Sequence, residues 1–402
     1  MSRSEPGKPL TLVVVQPTSL CNLNCSYCYV PGRKDATLMS DAVLEAVFRT
    51  TVGAPIGKER RFEFLWHAGE PLTAGLPFFQ KAVDICNRVK QTDDAVVHAI
   101  QTNGVLIDQA WISFFKENHF KIGVSIDGPD FLHNANRKTW GGKDTLEKAL
   151  RGYRLCLEAD LNPAVLAVLT KESLEHADAL FEFFVENEIW SFGFNAEEVE
   201  NVHLETSYGV TNANPPSWLR QKYHAFFSRM FDLWWPYREV LSIREFRDIT
   251  YGIQRKYRYP DHFRKPDETS ELGIVTIQRN GDMTTFSPEL AGAKSAEYGD
   301  FLVGNVLEID SIEQIKVHPV FQQLRTLIDQ GRHRCAEQCL YFDFCGSAFV
   351  SNRFFETGRF DGTESTTCIL QRKIVAAVVL EKLQQMSVQL REDALFAAAK
   401  PV

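Results

Sequence analysis

The stretch CNLNCSYCYVPGR, residues 21–33, places Cys21, Cys25 and Cys28 within eight residues and contains no fourth cysteine. A structural zinc site normally closes with four ligands. Three thiolates on one loop suit a [4Fe–4S] cluster instead, because they hold three irons and leave one iron open to a small chelating molecule. The stretch therefore predicts an iron–sulfur site in which one position is reserved for a ligand.

The residues that follow alternate between strand-like and helix-like patterns as far as residue 199. Repeated β–α units with short joints predict an α/β fold, a partial (β/α)6 barrel with a parallel sheet. In such a sheet, functional residues collect at the carboxyl ends of the strands, and Cys21 follows the first strand. The predicted strands are 11–17, 61–67, 96–104, 121–128, 163–171 and 191–197, and the predicted helices are 40–51, 77–91, 108–120, 144–160 and 174–189.

Beyond residue 200 the alternation stops. An aromatic run at 218–235 predicts a helix whose rings belong to the core, and Asn280-Gly281 predicts the turn of a hairpin. A second group of cysteines and a long helix come next. We expect a barrel at 1–199, a helical bridge or lid at 200–270, an α+β domain at 271–390 and a disordered tail at 391–402.

Composition limits the binding partners and the cellular location that fit this chain. The chain has 402 residues and a formal net charge of −8, which disfavours a nucleic-acid partner because such proteins present a basic face. No apolar run reaches the roughly 18 residues of a membrane span, and the N-terminal segment has no signal-peptide pattern. We therefore expect a cytoplasmic protein with no membrane partner. Clustered cysteines in that compartment favour metal binding, whereas Cys86 and Cys156 lie alone in helical patterns and are predicted core residues.

The CxxxCxxC pattern with Tyr27 before its last cysteine resembles the signature of the radical S-adenosylmethionine (SAM) enzymes. Four further stretches match that family in order and spacing. They are HAGEP at 67–71, with alanine where the family usually has glycine, QTNG at 101–104, GVSIDGP at 123–129 and NANRKTWGG at 134–142.

The resemblance implies a cofactor pair, SAM and a [4Fe–4S] cluster, that together generate a 5'-deoxyadenosyl radical. That radical removes a hydrogen atom from an unactivated C–H bond, while the protein binds and orients the reactants. Within this pattern Ser125 and Arg137 would contact the ribose and carboxylate region of SAM. The residues implied to contact SAM are Tyr27, Ala68, Gly69, Glu70, Asn103, Ser125, Asp127 and Arg137.

The second group comprises Cys335, Cys339, Cys345 and Cys368. Its layout resembles the C-terminal SPASM domain of peptide-modifying radical SAM enzymes, which often carries two auxiliary [4Fe–4S] clusters. Every ligand of one auxiliary cluster is present, although the first spacing is one residue wider than usual. Phe349 stands where the other cluster needs a cysteine, and the hairpin has none. We therefore expect two [4Fe–4S] clusters in all, with a four-thiol zinc site as the alternative.

The segments 14–33, 286–292 and 304–306 resemble the maturases of glycine-rich-repeat peptides, a group that includes cyclophane-forming enzymes. This resemblance implies that a Cβ hydrogen is removed from a precursor peptide and that the carbon joins a nearby aromatic ring. A base must take the ring proton, and Glu198 and Glu289 are the candidates. The implied partners are a precursor peptide with leader and core, and an electron donor such as flavodoxin or ferredoxin.

Other functions fit the same motifs. Within the radical SAM enzymes, thioether formation, epimerisation and sulfatase-type oxidation are alternatives, although the missing second auxiliary cluster disfavours the last. A zinc-bound scaffold that binds peptides without catalysis is the alternative from a different class. We expect the leader peptide to be recognised by the 200–270 region or by a separate protein.

Overall fold

The computed structural model describes residues 9–91, 96–210, 213–258 and 265–398. Its centre is a ten-stranded sheet with the order β10-β9-β8-β1-β2-β3-β4-β5-β6-β7. The strands are β1 Leu10–Val15, β2 Arg61–Trp66, β3 Val96–Thr102, β4 Lys121–Ser125, β5 Ala164–Leu169, β6 Ser191–Ala196, β7 Ser242–Ile243, β8 Ile274–Ile277, β9 Asp282–Thr285 and β10 Gly304–Asn305.

Strands β1 to β8 pair in parallel with one another, whereas β9 pairs antiparallel with β8 and β10 pairs antiparallel with β9. In the described part of the chain, β7 and β10 do not pair with each other, so the sheet stays open at its ends. The predicted parallel α/β architecture is confirmed. All six predicted barrel strands are present in the predicted order.

Helices α1 to α6 occupy the connections between β1 and β6. Five of them match the five predicted helices, and α4, at 130–136, is a short additional helix that the alternating pattern does not predict. The helix that follows β1 begins at its predicted cap, where the Ser40 side chain accepts a hydrogen bond from the Val43 amide. The helices are α1 Asp41–Thr50, α2 Leu76–Val89, α3 Gln109–Glu117, α4 Asp130–Asn136, α5 Leu146–Glu158, α6 Ala177–Glu186, α7 Ser217–Trp234, α8 Arg244–Arg258, α9 Pro319–Gln338, α10 Phe342–Cys345, α11 Val350–Thr357, α12 Thr366–Cys368 and α13 Val375–Ala398.

The two faces of the barrel strands contact different parts of the protein, the helices on the outside and a cavity on the inside. In β2, Phe62, Phe64 and Trp66 are fully buried on the face that packs against the helices. Burying each such side chain stabilises the fold by about 1.5–3 kcal/mol. Leu65 points the other way, into the barrel, and lines a cavity there. Because side chains alternate along a strand, the packing of the outer face fixes which residues face that cavity.

The hairpin with the Asn280-Gly281 turn forms as predicted, from β8 and β9. It is not confined to a separate C-terminal unit, however, because β8 pairs in parallel with the free edge of β1. All four residues of β8 are buried, so this strand needs neighbours on both edges and cover on both faces. The predicted domain boundary at 271 therefore falls just before a strand that completes the barrel sheet.

The aromatic helix is core, as predicted. Tyr223, Phe226, Phe227 and Phe231 of α7 are all buried, and α7 packs against α6 and α13. Two buried cysteines, Cys86 and Cys156, lie in the core and away from both cysteine groups.

The segment 391–402, expected to be a disordered tail, includes the end of α13, which continues to Ala398. The alanine-rich sequence of this segment has a high helix propensity, which extends the helix beyond the predicted end. Residues 399–402 of the predicted tail lie outside the described residues. Among the described helices, none combines the length and the apolar character that a bilayer crossing requires.

Candidate active site

A cavity of about 370 Å³ opens at the carboxyl ends of the barrel strands. Its walls come from the loop after β1, the turns after β2 and β3, the end of β6 and the segment after β9. This is the edge at which the sequence predicts function. Of the predicted site residues, the cavity brings together Cys21, Cys25, Cys28, Tyr27, Ala68, Gly69, Glu70, Asn103, Ser125, Arg137, Glu198 and Glu289.

The three thiols of the β1 loop share this cavity. Burial raises the pKa of Cys21 to about 12 and that of Cys25 to about 11, and the neighbouring thiols add to both shifts. This mutual effect shows that the sulfur atoms are near one another. Three soft sulfur donors on one wall, with no fourth thiol among the cavity's lining residues, fit the ligand set of a [4Fe–4S] cluster with one open iron.

The HAGEP turn fixes the start of that loop. Ala68 and Gly69 both have positive φ, 72° and 57°, so the backbone turns sharply beneath the loop. A Cβ on Gly69 would lie 2.5 Å from the Leu20 carbonyl oxygen, and the Glu70 amide donates to that same oxygen at 2.8 Å. The glycine is therefore required by close approach to the thiol loop, whereas Ala68 occupies a conformation that is costly for a residue with a side chain.

Glu70 ties together the ends of β2 and β3. Its carboxylate accepts hydrogen bonds from the Thr102 hydroxyl at 2.7 Å, the Asn103 amide at 2.7 Å and the Leu72 amide at 3.1 Å. Burial raises the pKa of Glu70 to about 7, against the lowering effect of these donors. Its side chain positions the turns that carry Gly69 and Asn103.

Asp127 lies behind the cavity wall and is not among its lining residues. Its carboxylate receives two hydrogen bonds from Arg137, at 2.9 and 3.0 Å, one from the Tyr27 hydroxyl and one from the Val168 amide at 3.0 Å. The ion pair is buried on both sides. The sequence groups Asp127 with the SAM contacts, but the structure uses its carboxylate to orient Arg137 and Tyr27, which do face the cavity.

Four glutamates, Glu197, Glu198, Glu200 and Glu289, line the side formed by the end of β6 and the segment after β9. Glu198 accepts hydrogen bonds from Asn352 and Thr367, and burial followed by the charge of Glu289 raises its pKa to about 8. Glu200 accepts from the Asn352 amide group at 3.1 Å. Burial and these acidic neighbours hold the pKa of Glu200 well above its usual range.

Glu289 accepts a hydrogen bond from the Ser287 hydroxyl, and burial raises its pKa as well. Close, buried carboxyl groups cannot all ionise together. Burial and mutual repulsion therefore favour the protonated forms of these carboxyl groups, which line the cavity.

Several cavity residues were missed by the sequence analysis. Tyr29 directly follows Cys28, and burial together with Glu289 and Glu200 raises its pKa well above the usual range. Gln101 donates to the Ser125 hydroxyl at 2.9 Å, so it orients a predicted SAM contact. Glu200 lies two residues after Glu198 in the acidic run that follows β6. In an extended segment this spacing places both side chains on the same side, so the sequence offered a signal for Glu200. Gln101 is the first residue of the QTNG stretch at 101–104, which the sequence analysis matched to the family without assigning this residue a contact.

The second cysteine group lies around α9 to α12. Cys335 and Cys345 are buried, and both raise the pKa of Cys368 beyond the effect of burial. Cys339 and Cys368 share Lys373 as a neighbour, because the charges of both thiols raise its pKa. Three thiols that influence one another, with Cys339 near the same lysine, fit the ligand set of a second iron–sulfur centre.

Phe349, at the position of the expected further cysteine, instead lies beneath the Arg372 guanidinium at 5.6 Å. Within the described ranges, no three His, Cys, Asp or Glu side chains are arranged to hold a single metal ion. The requirement for a cluster is different, because each thiolate binds its own iron.

A family model described as the radical SAM superfamily matches residues 15–184. The uncharacterized protein sll1766 of Synechocystis sp. is 36% identical over 381 residues, covering 94% of this chain and 93% of that protein. A cysteine-type anaerobic sulfatase-maturating enzyme of Clostridium perfringens is 30% identical over 349 residues, covering 84% of this chain and 88% of that enzyme.

Solved structures share this fold. Native anSMEcpe with bound AdoMet superposes with a TM-score of 0.75 at 22% identity, covering 95% of this chain and 100% of that one. The same protein with AdoMet and the Kp18Cys peptide gives a TM-score of 0.74 at 21% identity and the same coverage. Streptococcus suis SuiB bound to its precursor peptide SuiA gives 0.57 at 17% identity, covering 90% and 76%.

We expect Gly69→Ala to release the thiol loop, because the new Cβ must displace the Leu20 carbonyl. The purified variant, reconstituted with iron and sulfide, should hold about four fewer irons than the wild type. Gly32→Ala is the matched control, since Gly32 also has positive φ, 68°, but nothing lies within 4 Å of its Cβ position. Equal iron contents in the two variants would show that the close approach to Leu20 is unimportant.

We expect Cys368→Ala to remove one cluster and leave the other. Iron analysis after anaerobic reconstitution should fall from about eight irons per chain to about four. Cys156→Ala, a buried cysteine in the core, should retain the wild-type iron content. Stoichiometric zinc and no iron in the wild-type protein would contradict the cluster assignment.

Glu198 makes stability depend on pH in a defined direction. Its raised pKa means that, between about pH 4.5 and 8, the folded protein holds a proton that the unfolded chain releases. The free energy of unfolding therefore falls as pH rises through this window.

The buried histidines do not obscure this effect between pH 7 and 8. Burial lowers the pKa values of His67, His98 and His133 to about 4, so they are neutral in the folded protein and largely neutral in the unfolded chain. Denaturant unfolding at these two pH values should show a flatter dependence for Glu198→Gln, while Glu117→Gln, at an exposed site on α3, should behave as wild type. A wild-type slope in Glu198→Gln would refute the assignment.

Proposed function

The chain is a radical SAM enzyme of the family that contains the anaerobic sulfatase-maturating enzymes, and we propose that it forms a carbon–carbon cross-link in a ribosomally made peptide. The bond joins the β-carbon of one residue to a nearby aromatic ring, giving a cyclophane. The observation that carries the proposal is the cavity itself, whose lining includes the three thiols of the β1 loop and the carboxyl groups of Glu198, Glu200 and Glu289.

Cys21, Cys25 and Cys28 would hold the [4Fe–4S] cluster, and the turns at Gly69, Asn103 and Ser125 with Arg137 would hold SAM. When bound, this pair supplies a 5'-deoxyadenosyl radical that removes one hydrogen atom from the β-carbon of the substrate. The buried Asp127–Arg137 pair keeps the guanidinium in place at the cavity wall. Bound AdoMet in the structural relative anSMEcpe supports this assignment.

A peptide substrate is supported by the relatives that share the fold. The solved structures include anSMEcpe with the Kp18Cys peptide and SuiB with its precursor peptide SuiA. A peptide residue entering the cavity would meet Tyr29 and the carboxyl groups of Glu198, Glu200 and Glu289, which line it. The rest of the precursor, leader and core, would remain outside a cavity of this volume.

Glu289 is the group that we propose as proton acceptor. After the β-carbon has lost a hydrogen atom and joined the ring, the ring must lose one proton and one electron to become aromatic again. Glu198 is held by donors from Asn352 and Thr367, whereas Glu289 is held by the Ser287 and Ser351 hydroxyls, which can rotate. A carboxyl group with a raised pKa is a better proton acceptor near neutral pH once it is ionised.

The second cysteine group accounts for the electron. Cys335, Cys339, Cys345 and Cys368 would hold the auxiliary [4Fe–4S] cluster, which accepts one electron when bound. A reduced electron-transfer protein of the cytoplasm, such as a flavodoxin or a ferredoxin, would supply the electron that starts each cycle. The charges of Cys335, Cys368 and Cys345 raise the pKa of the buried Arg353 against the lowering effect of burial. Its positive charge would therefore stabilise negative charge at this centre.

Sulfatase-type oxidation is a second candidate, favoured by the 30% identity to the Clostridium perfringens enzyme. It begins with the same hydrogen abstraction from a β-carbon, but the substrate is a cysteine or serine that becomes an aldehyde. Both reactions need a proton acceptor in the cavity. They differ in product, which makes them separable by experiment.

We expect co-expression with a short precursor peptide encoded beside this chain to lower the peptide mass by two hydrogens for each cross-link. Tandem mass spectrometry should show no fragmentation between the joined residues, and the product should not react with hydroxylamine. A hydroxylamine-reactive product would favour the sulfatase-type oxidation. An unchanged peptide, with SAM cleaved, would rule out both.

Glu289→Gln should lower the rate of product formation by about a hundredfold, the usual contribution of a general base. Reductive SAM cleavage should persist, because the substitution leaves the thiol loop intact. Glu297→Gln, at an exposed position, serves as the control. Equal product formation in Glu289→Gln and wild type would transfer the role to Glu198.

A further inference from the structure

A basic face lies outside the cavity, on the other side of the thiol loop. It comprises Arg33, Lys34, Lys138, Trp140 and Lys143. The Lys34 ammonium lies 4.4 Å from the centre of the Trp140 ring, and the Arg33 guanidinium lies 5.4 Å from it. The indole is 40% exposed, so a large aromatic side chain is held at the surface between two cations.

This basic face is built directly onto the backbone of the thiol loop. The Trp140 indole N–H donates to the Cys21 carbonyl at 2.9 Å. The Asn24 amide donates to the Lys138 carbonyl at 2.7 Å, and the Cys21 amide donates to the Arg33 carbonyl at 2.9 Å. The thiol loop is therefore hydrogen-bonded directly to the segments that carry this surface.

Cys21 is the residue that the two sides share. It lines the inner cavity and also a shallow hollow of about 410 Å³ beside Trp140, whose other lining residues include Lys34 and Thr73. At this hollow, Cys21 alone separates a protein on the outer surface from the inner cavity. The inner side is the one that SAM and the peptide would fill.

The charge of this surface is opposite to that of the whole chain, which carries a formal −8. Of the acidic residues beside it, Asp35 is paired with Arg279, and Asp144 lies 4.0 Å from Lys138. The cations are thus in excess here. An exposed aromatic anchor with a charged rim is typical of protein interfaces, and a basic rim selects an acidic partner.

We propose that the basic face is the docking site for the electron donor, a small acidic electron-transfer protein. This inference rests on the proposed function, since only an enzyme that uses a reducible cluster needs such a donor. Opposite charges bring the donor to the surface, and Trp140 provides the apolar contact at its centre. The electron then enters through the Cys21 side of the loop, and the cavity remains closed to the donor.

The test uses the reconstituted enzyme, a reduced flavodoxin as probe, and the double variant Lys34→Glu/Lys138→Glu. The control is Lys58→Glu/Lys116→Glu, an equal charge change at exposed residues near the amino ends of β2 and β4. Trp140 is left unchanged because its indole also holds the loop. At low ionic strength we expect the first variant to weaken flavodoxin binding about tenfold, and the difference from wild type to shrink at high salt.

Cluster reduction provides a second readout. By electron paramagnetic resonance, reduction by flavodoxin should slow in the first variant, whereas reduction by dithionite should match wild type. Equal weakening in the control pair, or unchanged binding in the first variant, would overturn the docking site. Weakened binding of the precursor peptide with normal flavodoxin binding would assign the surface to the substrate and also overturn it. Wild-type enzyme that cleaves SAM with dithionite but leaves the peptide unmodified would count against the proposed function only.

Discussion

The loop of residues 21–28 can present three thiols to one cavity because its backbone is held on both sides. On the inner side, Gly69 approaches the Leu20 carbonyl so closely that any side chain would collide with it. On the outer side, the segment that follows α4 pairs with the loop, through the Asn24 amide and through the indole of Trp140. A free loop would leave its amides to water and its sulfur atoms without a fixed direction. The rest of the site depends on this double restraint, since any group that binds the three thiols has to meet the loop in one geometry.

Electrostatics divides the cavity into two parts. Arg137 is the buried cation on the thiol side, and it is compensated by Asp127 from behind the wall, so that its charge is stabilised without closing the cavity. Glu198, Glu200 and Glu289 line another part of the cavity, and burial favours their protonated forms. A ligand that enters the cavity therefore meets both a compensated cation and carboxyl groups.

A buried positive charge, that of Arg353, lies beside the second cysteine group. Arg353 is almost fully buried, and within the described residues its Nε has no hydrogen-bond partner. Its other nitrogen atoms bind Ser347 and the Gly362 carbonyl, which fixes the plane of the guanidinium beside the thiols. A buried cation without an anion is costly. A cluster held by four thiolates would supply the missing negative charge.

The sequence by itself determined the order of strands and helices, the Ser40 cap, the hairpin turn and the two groups of cysteines, because periodicity and spacing are local properties of the chain. It also indicated Glu289, since that residue belongs to a recognisable segment. Only the tertiary structure decided that β8 extends the barrel sheet beside β1, that Asp127 supports Arg137 from behind, and that Tyr29 and Glu200 enter the cavity. These outcomes depend on which strand edges meet and which way each side chain turns once distant segments pack. No local pattern encodes either of them.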